Sequence, residues 1–116
     1  MTKSIQDLAD DIVAFRDARD WKQFHSPKNL SMSLVLEATE VMEHFQWKSE
    51  EEIQKYVATH REDIGEELAD TLYYILLISQ DLGIDLVDMA QKKLMKNEVK
   101  YPISKAKGKH TKYNKL

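Results

Sequence analysis

The sequence predicts an all-α domain, a bundle of four to five helices, and three observations carry that prediction. Apolar residues recur at helical spacing through most of residues 4–97. Three Gly and two Pro in 116 residues supply too little turn chemistry for a many-stranded β fold. Start and stop signals for helices fall between the periodic stretches. The length suits one domain at the usual ~100–200 residues per domain. A chain of this size buries roughly 60–70% of its unfolded surface, enough for a core without staples. With no Cys, disulfides, thiolate metal sites and a Cys nucleophile are all excluded.

Ile5, Leu8, Ala9, Ile12 and Phe15 recur at i, i+3, i+4 and i+7, so residues 4–19 read as an amphipathic helix. Residues 20–29 break that period, and Pro27 marks them as a connector. A second helix fits Leu30 to Phe45, with Leu34, Ala38, Val41 and Phe45 as its core stripe. Met32, Val35, Leu36 and Met42 spread apolar surface nearly all round it. Such a helix is usually buried on most sides, which in a small chain points to burial against another subunit. Ser49 and Glu52 have the Ser-x-x-Glu form of a capping box and start a short helix to about Thr59. Ile64, Leu68, Leu72, Ile75 and Ser79 form one face of a long helix closed by Gly83. Asp85 is the expected N-cap of a last helix, stopped by Tyr101 and Pro102. The expected organisation is one domain over residues 1–102 and a basic, flexible tail over 103–116.

The net charge of −3 hides an uneven distribution. Residues 37–70 carry eleven acidic side chains against three basic ones, and residues 103–116 carry five Lys and no acid. The longest apolar run, Leu72 to Ile78, falls far short of the ~20 residues that span a bilayer. No apolar signal core follows Met1, so a soluble, cytoplasmic protein is the expectation. The acidic core argues against specific nucleic-acid binding despite the Lys tail.

Within the acidic third, Glu37 and Glu40 lie about 60° apart on one flank of their helix, beside its core stripe. Glu43 points away from that stripe and should be solvated. Glu67 and Asp70 repeat the i, i+3 relation on the long helix, and Tyr74 continues their stripe one turn on. Two such helices side by side would converge four carboxylates on one small volume, where they would repel and favour protonation. A hard divalent cation removes that penalty, and an all-oxygen donor set suits Mg²⁺ or Mn²⁺ and phosphate chemistry. Spacing alone leaves open whether these are solvated faces or a site. A di-iron centre needs Glu-x-x-His on two helices. The residues three before His25, His44, His60 and His110 are Lys22, Val41, Val57 and Lys107, so that centre is excluded.

Read in order, the segments Trp21-Lys22-Gln23-Phe24-His25-x-Pro27-Lys28-Asn29-Leu30, Glu37-x-x-Glu40, Phe45-Gln46-Trp47, Glu67-x-x-Asp70 and Lys96-Asn97 before Tyr101-Pro102 resemble the MazG-like nucleotide pyrophosphohydrolases. The resemblance is greatest to the short single-domain branch that includes the dCTP pyrophosphatases, and runs from Ile5 to Pro102. It implies an all-α, Mg²⁺-dependent enzyme, with Mn²⁺ as a substitute, that cuts nucleoside triphosphates between the α- and β-phosphates. Glu37, Glu40, Glu67 and Asp70 would then be metal ligands and catalytic residues. Trp21, His25, Trp47 and Tyr74 would enclose base and sugar. Lys28, Asn29, Lys93, Asn97 and Lys100 would be candidates for phosphate and base contacts. Where some members carry a further Glu directly before the first pair, this chain has Leu36. The family's habit implies a homo-oligomer, a tetramer built as a dimer of dimers or a dimer. The expected substrate is dCTP or another deoxynucleotide. The rivals are a pyrophosphohydrolase specific for dUTP or a regulatory nucleotide, and a non-enzymatic helical adaptor whose acidic helices meet a basic partner.

Overall fold

The structure, a computed structural model, describes residues 2–116, and among them every regular element is helical. The chain divides into two compact units, Met1–Gly83 and Ile84–Leu116.

In the first unit α1 spans Ile5–Asp17, α2 Pro27–Glu43 and α3 Glu50–Asp81. Ser4 opens α1 with a reciprocal capping box to Asp7, so two orphan backbone donors are satisfied before the apolar stripe begins. The connector contains a single 3-10 turn, Lys22–Phe24. α2 begins earlier than Leu30, the start its apolar spacing suggests. Ser26 is the N-cap and Pro27 occupies the first turn, where its missing N–H would have had no helical partner anyway. The expected short helix and the expected long one are continuous in α3, and their junction survives as a kink. His60 (φ −126°, ψ 24°) leaves the helical path, and its Nδ1 lies 3.0 Å from the Tyr56 carbonyl oxygen. The capping box of Ser49 and Glu52 is present as expected. Gly83 follows the end of α3 at φ 65°, a left-handed conformation that a side chain at that position would oppose.

α1 and α2 both pack against α3. The fully buried apolar side chains are Ala9 of α1, Leu30 of α2 and Leu76 and Leu77 of α3, each large one contributing about 1.5–3 kcal/mol. This is a small interior. Met32, Val35 and Leu36 of α2 stand exposed at 57%, 64% and 65%, forming an apolar patch on its outer side. An ion pair between the buried Arg16 of α1 and the partly buried Asp81 of α3 ties these two helices together.

In the second unit α4 spans Leu86–Lys100, capped by Asp85 as the sequence suggests, and is followed by α5, Ile103–Ala106. The Tyr113 ring packs edge-on to Tyr101 at 6.1 Å and lies 4.8 Å from the Lys100 ammonium. Among the described residues no helix is long and apolar enough to cross a membrane.

Candidate active site

Two acidic pairs meet where α2 lies against α3. The i, i+3 spacing puts Glu37 and Glu40 on the side of α2 that faces α3, and Glu67 and Asp70 on the opposing side of α3. Carboxylate oxygens of Glu37, Glu67 and Asp70 lie within 4.8 Å of one another. Glu40 adjoins the group, its carboxyl within hydrogen-bonding reach of both Glu37 and Glu67.

The electrostatics are those of crowded like charges. Proton sharing with Glu40, then burial and the neighbouring carboxylates, push the Glu67 carboxyl up to about 7. Burial, then the charge of Glu40, raises Glu37 above the usual carboxylate range. One oxygen of each, Oε2 of Glu37 and Oε2 of Glu67, is buried without a hydrogen-bond donor from the protein. Buried acceptors in native proteins nearly always have partners. An all-oxygen anionic group with two orphaned acceptors fits a hard divalent cation, the partner that would satisfy them. The residues that could hold it are Glu37, Glu67 and Asp70, with Glu40 alongside.

Against this cluster lies a cavity of about 510 Å³. Glu37 and Asp70 form its acidic side, and Phe15, Trp21, Tyr73 and Tyr74 its aromatic side. The aromatic rings contact edge to face: Phe15 to Trp21 at 5.7 Å, Phe15 to Tyr73 at 6.4 Å, Tyr73 to Tyr74 at 5.1 Å. The Arg19 guanidinium lies 3.7 Å from the centroid of the Phe15 ring and holds it in place. His25 also lines the cavity. Its Nδ1 is buried without a partner, and burial, then the Arg16 charge, pushes the imidazole below its ordinary value toward the neutral form. A flat, uncharged ring fits the aromatic side, and a polyanion bridged by a cation fits the acidic one.

A second cavity of about 330 Å³ opens on Glu40 and Glu67, lined also by Glu43, His44 and Tyr56. His44 is half-buried, with Nδ1 2.5 Å from the Tyr56 hydroxyl.

Of the residues the sequence singles out, the structure brings Trp21, His25, Tyr74 and the carboxylates together. Trp47 stands 86% exposed in the turn after α2, away from the cavity lining. Lys28 is exposed in the first turn of α2, and Asn29 donates its side-chain N–H to the Phe24 carbonyl at 3.2 Å. Lys93, Asn97 and Lys100 lie on α4 of the second unit. Sequence reasoning missed Phe15 and Tyr73, the first assigned to the core stripe of α1. The adjacency of Tyr73 to Tyr74 was the available signal.

The chain matches the MazG-like family over residues 32–116. It is 35% identical over 115 residues to dCTP pyrophosphatase 1 of Mus musculus, covering 97% of this chain and 68% of that protein. Against dCTP pyrophosphatase 1 of Homo sapiens the identity is 34% over the same coverage. Among solved structures, a pyrophosphatase from Archaeoglobus fulgidus DSM 4304 superposes with a TM-score of 0.81 at 35% identity, covering 88% of this chain and 95% of that one.

Proposed function

The chain belongs to the MazG-like family, and from that premise we propose that it is a Mg²⁺-dependent nucleotide pyrophosphohydrolase releasing a nucleoside monophosphate and pyrophosphate. The observation that carries the reading is the junction of two surfaces: orphaned carboxylate oxygens of Glu37 and Glu67 directly beside an aromatic cavity. A nucleoside triphosphate has the matching two ends, a flat base and a chain of about four negative charges.

Glu37, Glu40, Glu67 and Asp70 are the residues that would hold the cation, with Mn²⁺ able to replace Mg²⁺. When bound, such an ion offsets the phosphate charge and lowers the pKa of a coordinated water. The carboxylates would hold that ion at the acidic side of the cavity, where the phosphate chain would lie. Trp21, Tyr74, Phe15 and Tyr73 enclose the base, and stacking of this kind gives roughly 1–3 kcal/mol per base. His25, shifted by burial toward its neutral form and with Nδ1 unpartnered, can hydrogen-bond the base or sugar edge. Trp47, Lys28, Asn29, Lys93, Asn97 and Lys100 remain candidate contacts on the strength of the family pattern. The names of the curated relatives favour dCTP or a related deoxynucleotide as substrate. The exposed Met32, Val35 and Leu36 favour a homo-oligomer, a dimer or a tetramer of two dimers.

Incubation with a dNTP panel and Mg²⁺ tests the reaction. Pyrophosphate and the monophosphate are expected, fastest with dCTP. Orthophosphate, or no turnover of any nucleotide, would falsify it.

A further inference from the structure

Arg16 is among the largest fully buried side chains, 1% exposed, and it is charged. Its guanidinium meets Asp81 of α3 in a fork, Nη1 to Oδ2 and Nη2 to Oδ1, both at 2.8 Å. Burying the Arg16 charge beside a partly buried carboxylate is costly, and such pairs can often be replaced by apolar residues of similar volume without loss of stability. Stability is therefore a weak reason for the pair. What it does supply is a single geometry, because two parallel N–H···O bonds allow no sliding, whereas an apolar contact does.

The pair sits where that geometry matters. The Arg16 carbonyl accepts from the backbone N–H of Arg19 at 3.1 Å and of Trp21 at 3.2 Å, closing the turn that holds Asp20 at φ 53°. Trp21 thus leaves α1 in a direction tied to Arg16. Four residues on, His25 lies near enough to the guanidinium to feel its charge, with Asp81 acting in the opposite sense, and Lys22 faces Asp81. On α3, Asp81 follows Tyr74 by seven residues and Tyr73 by eight, two turns along the same side of the helix. One ion pair therefore ties the end of α1, whose Arg16 carbonyl holds the start of the connector carrying Trp21 and His25, to the helix that carries Tyr73 and Tyr74.

We propose that Arg16 and Asp81 are positioning residues for the aromatic end of the cavity, fixing the register of the connector over α3 so that Trp21 and His25 face Tyr73 and Tyr74. The proposal rests on the nucleotide reading of that cavity and adds to it the device that sets the spacing of its walls. Neither residue need touch the substrate.

The test compares D81N, the volume-conserving pair R16M/D81L, and R16K, which keeps the charge and loses the fork. D81N removes the carboxylate that the buried guanidinium meets on α3, leaving only Asp17 at 3.7 Å, and should melt lower. R16M/D81L should regain the wild-type melting temperature yet keep a KM for the preferred dNTP raised about tenfold, with kcat changed much less. R16K should show the same split between KM and kcat, and it stands in if the double variant does not fold. Affinity for the product monophosphate, by calorimetry, should fall in parallel. Wild-type KM and monophosphate affinity in R16K and R16M/D81L would overturn the positioning role while leaving the nucleotide reading intact. A wild-type protein that hydrolyses no dNTP overturns both, and that outcome is visible before any variant is made.

Discussion

His44 and Tyr56 join the two carboxylate-bearing helices beside the acidic cluster, ring nitrogen Nδ1 to hydroxyl at 2.5 Å. The tyrosine is held on its own account: its ring stacks on His60 at 3.9 Å between centroids, and the Lys48 ammonium lies 4.1 Å away. Lys48 in turn donates to the His44 carbonyl at 2.7 Å. This group closes the turn between α2 and α3, the same two helices whose packing brings Glu40 to Glu67.

Removing only the hydroxyl isolates that bond. Tyr56→Phe keeps the ring and its two contacts but leaves the half-buried His44 nitrogen without a partner, a cost of about 1–2 kcal/mol. Urea unfolding should show a lowered midpoint for Tyr56→Phe and a larger drop for Tyr56→Ala. A Tyr56→Phe midpoint equal to wild type would mean that the bond contributes nothing.

The raised Glu67 carboxyl predicts a pH dependence with a definite sign. Its ordinary value is 4.5 and the folded value about 7, so the folded state binds the proton more tightly than the unfolded one. The contribution is fully present below about 4.5 and is lost as pH rises through about 7. His25, lowered from 6.5, works in the opposite direction over part of this range. The difference between wild type and Glu67→Gln separates the two. In chelator, the variant should gain stability relative to wild type as pH is taken from 4.5 to 8; a difference that stays flat contradicts the assignment.

Glu40→Gln should separate activity from stability. It removes one of four crowded charges, so the metal-free protein should melt at the same temperature or higher. Turnover should fall by roughly two orders of magnitude, the scale of losing a preorganised charge at a reacting centre. Pyrophosphate release and thermal melts on one preparation check both halves. An active variant removes Glu40 from the proposed ligands.

The apolar patch on α2 predicts a change in assembly. Leu36→Glu places a charge among Met32, Val35 and Leu36 and should shift sedimentation toward the single chain, with a concentration-dependent melting temperature. An unchanged sedimentation coefficient would show that the patch is not the contact between copies.

Much of this architecture could be read from the residues, for reasons that differ by position. The acidic pairs were legible because i, i+3 spacing fixes a common helix face without knowledge of the partner helix. Pro27 misled because one residue type both ends connectors and begins helices, and only the Ser26 cap tells these apart. Phe15 fits the apolar stripe of α1, yet it is 43% exposed and lines the cavity, because amphipathic spacing does not distinguish a core from a pocket wall. The contact of His44 with Tyr56 depends on the turn that brings α2 back against α3, and no spacing rule reaches across such a turn. Trp47, assigned to the base and sugar by the family resemblance, sits in that turn and lies outside the cavity lining.

The departure of His60 from the helical path has a consequence for how this chain can vary. In a straight helix, inserting one residue turns everything beyond it by about 100°. At a kink, added length upstream is taken up by rotation of the upstream piece alone. Residues 50–59 therefore take their phase independently of Glu67 and Asp70, and what fixes it is their own contact, Tyr56 with His44. Changes there that keep Tyr56 against His44 leave Glu67 and Asp70 on the face they present to α2.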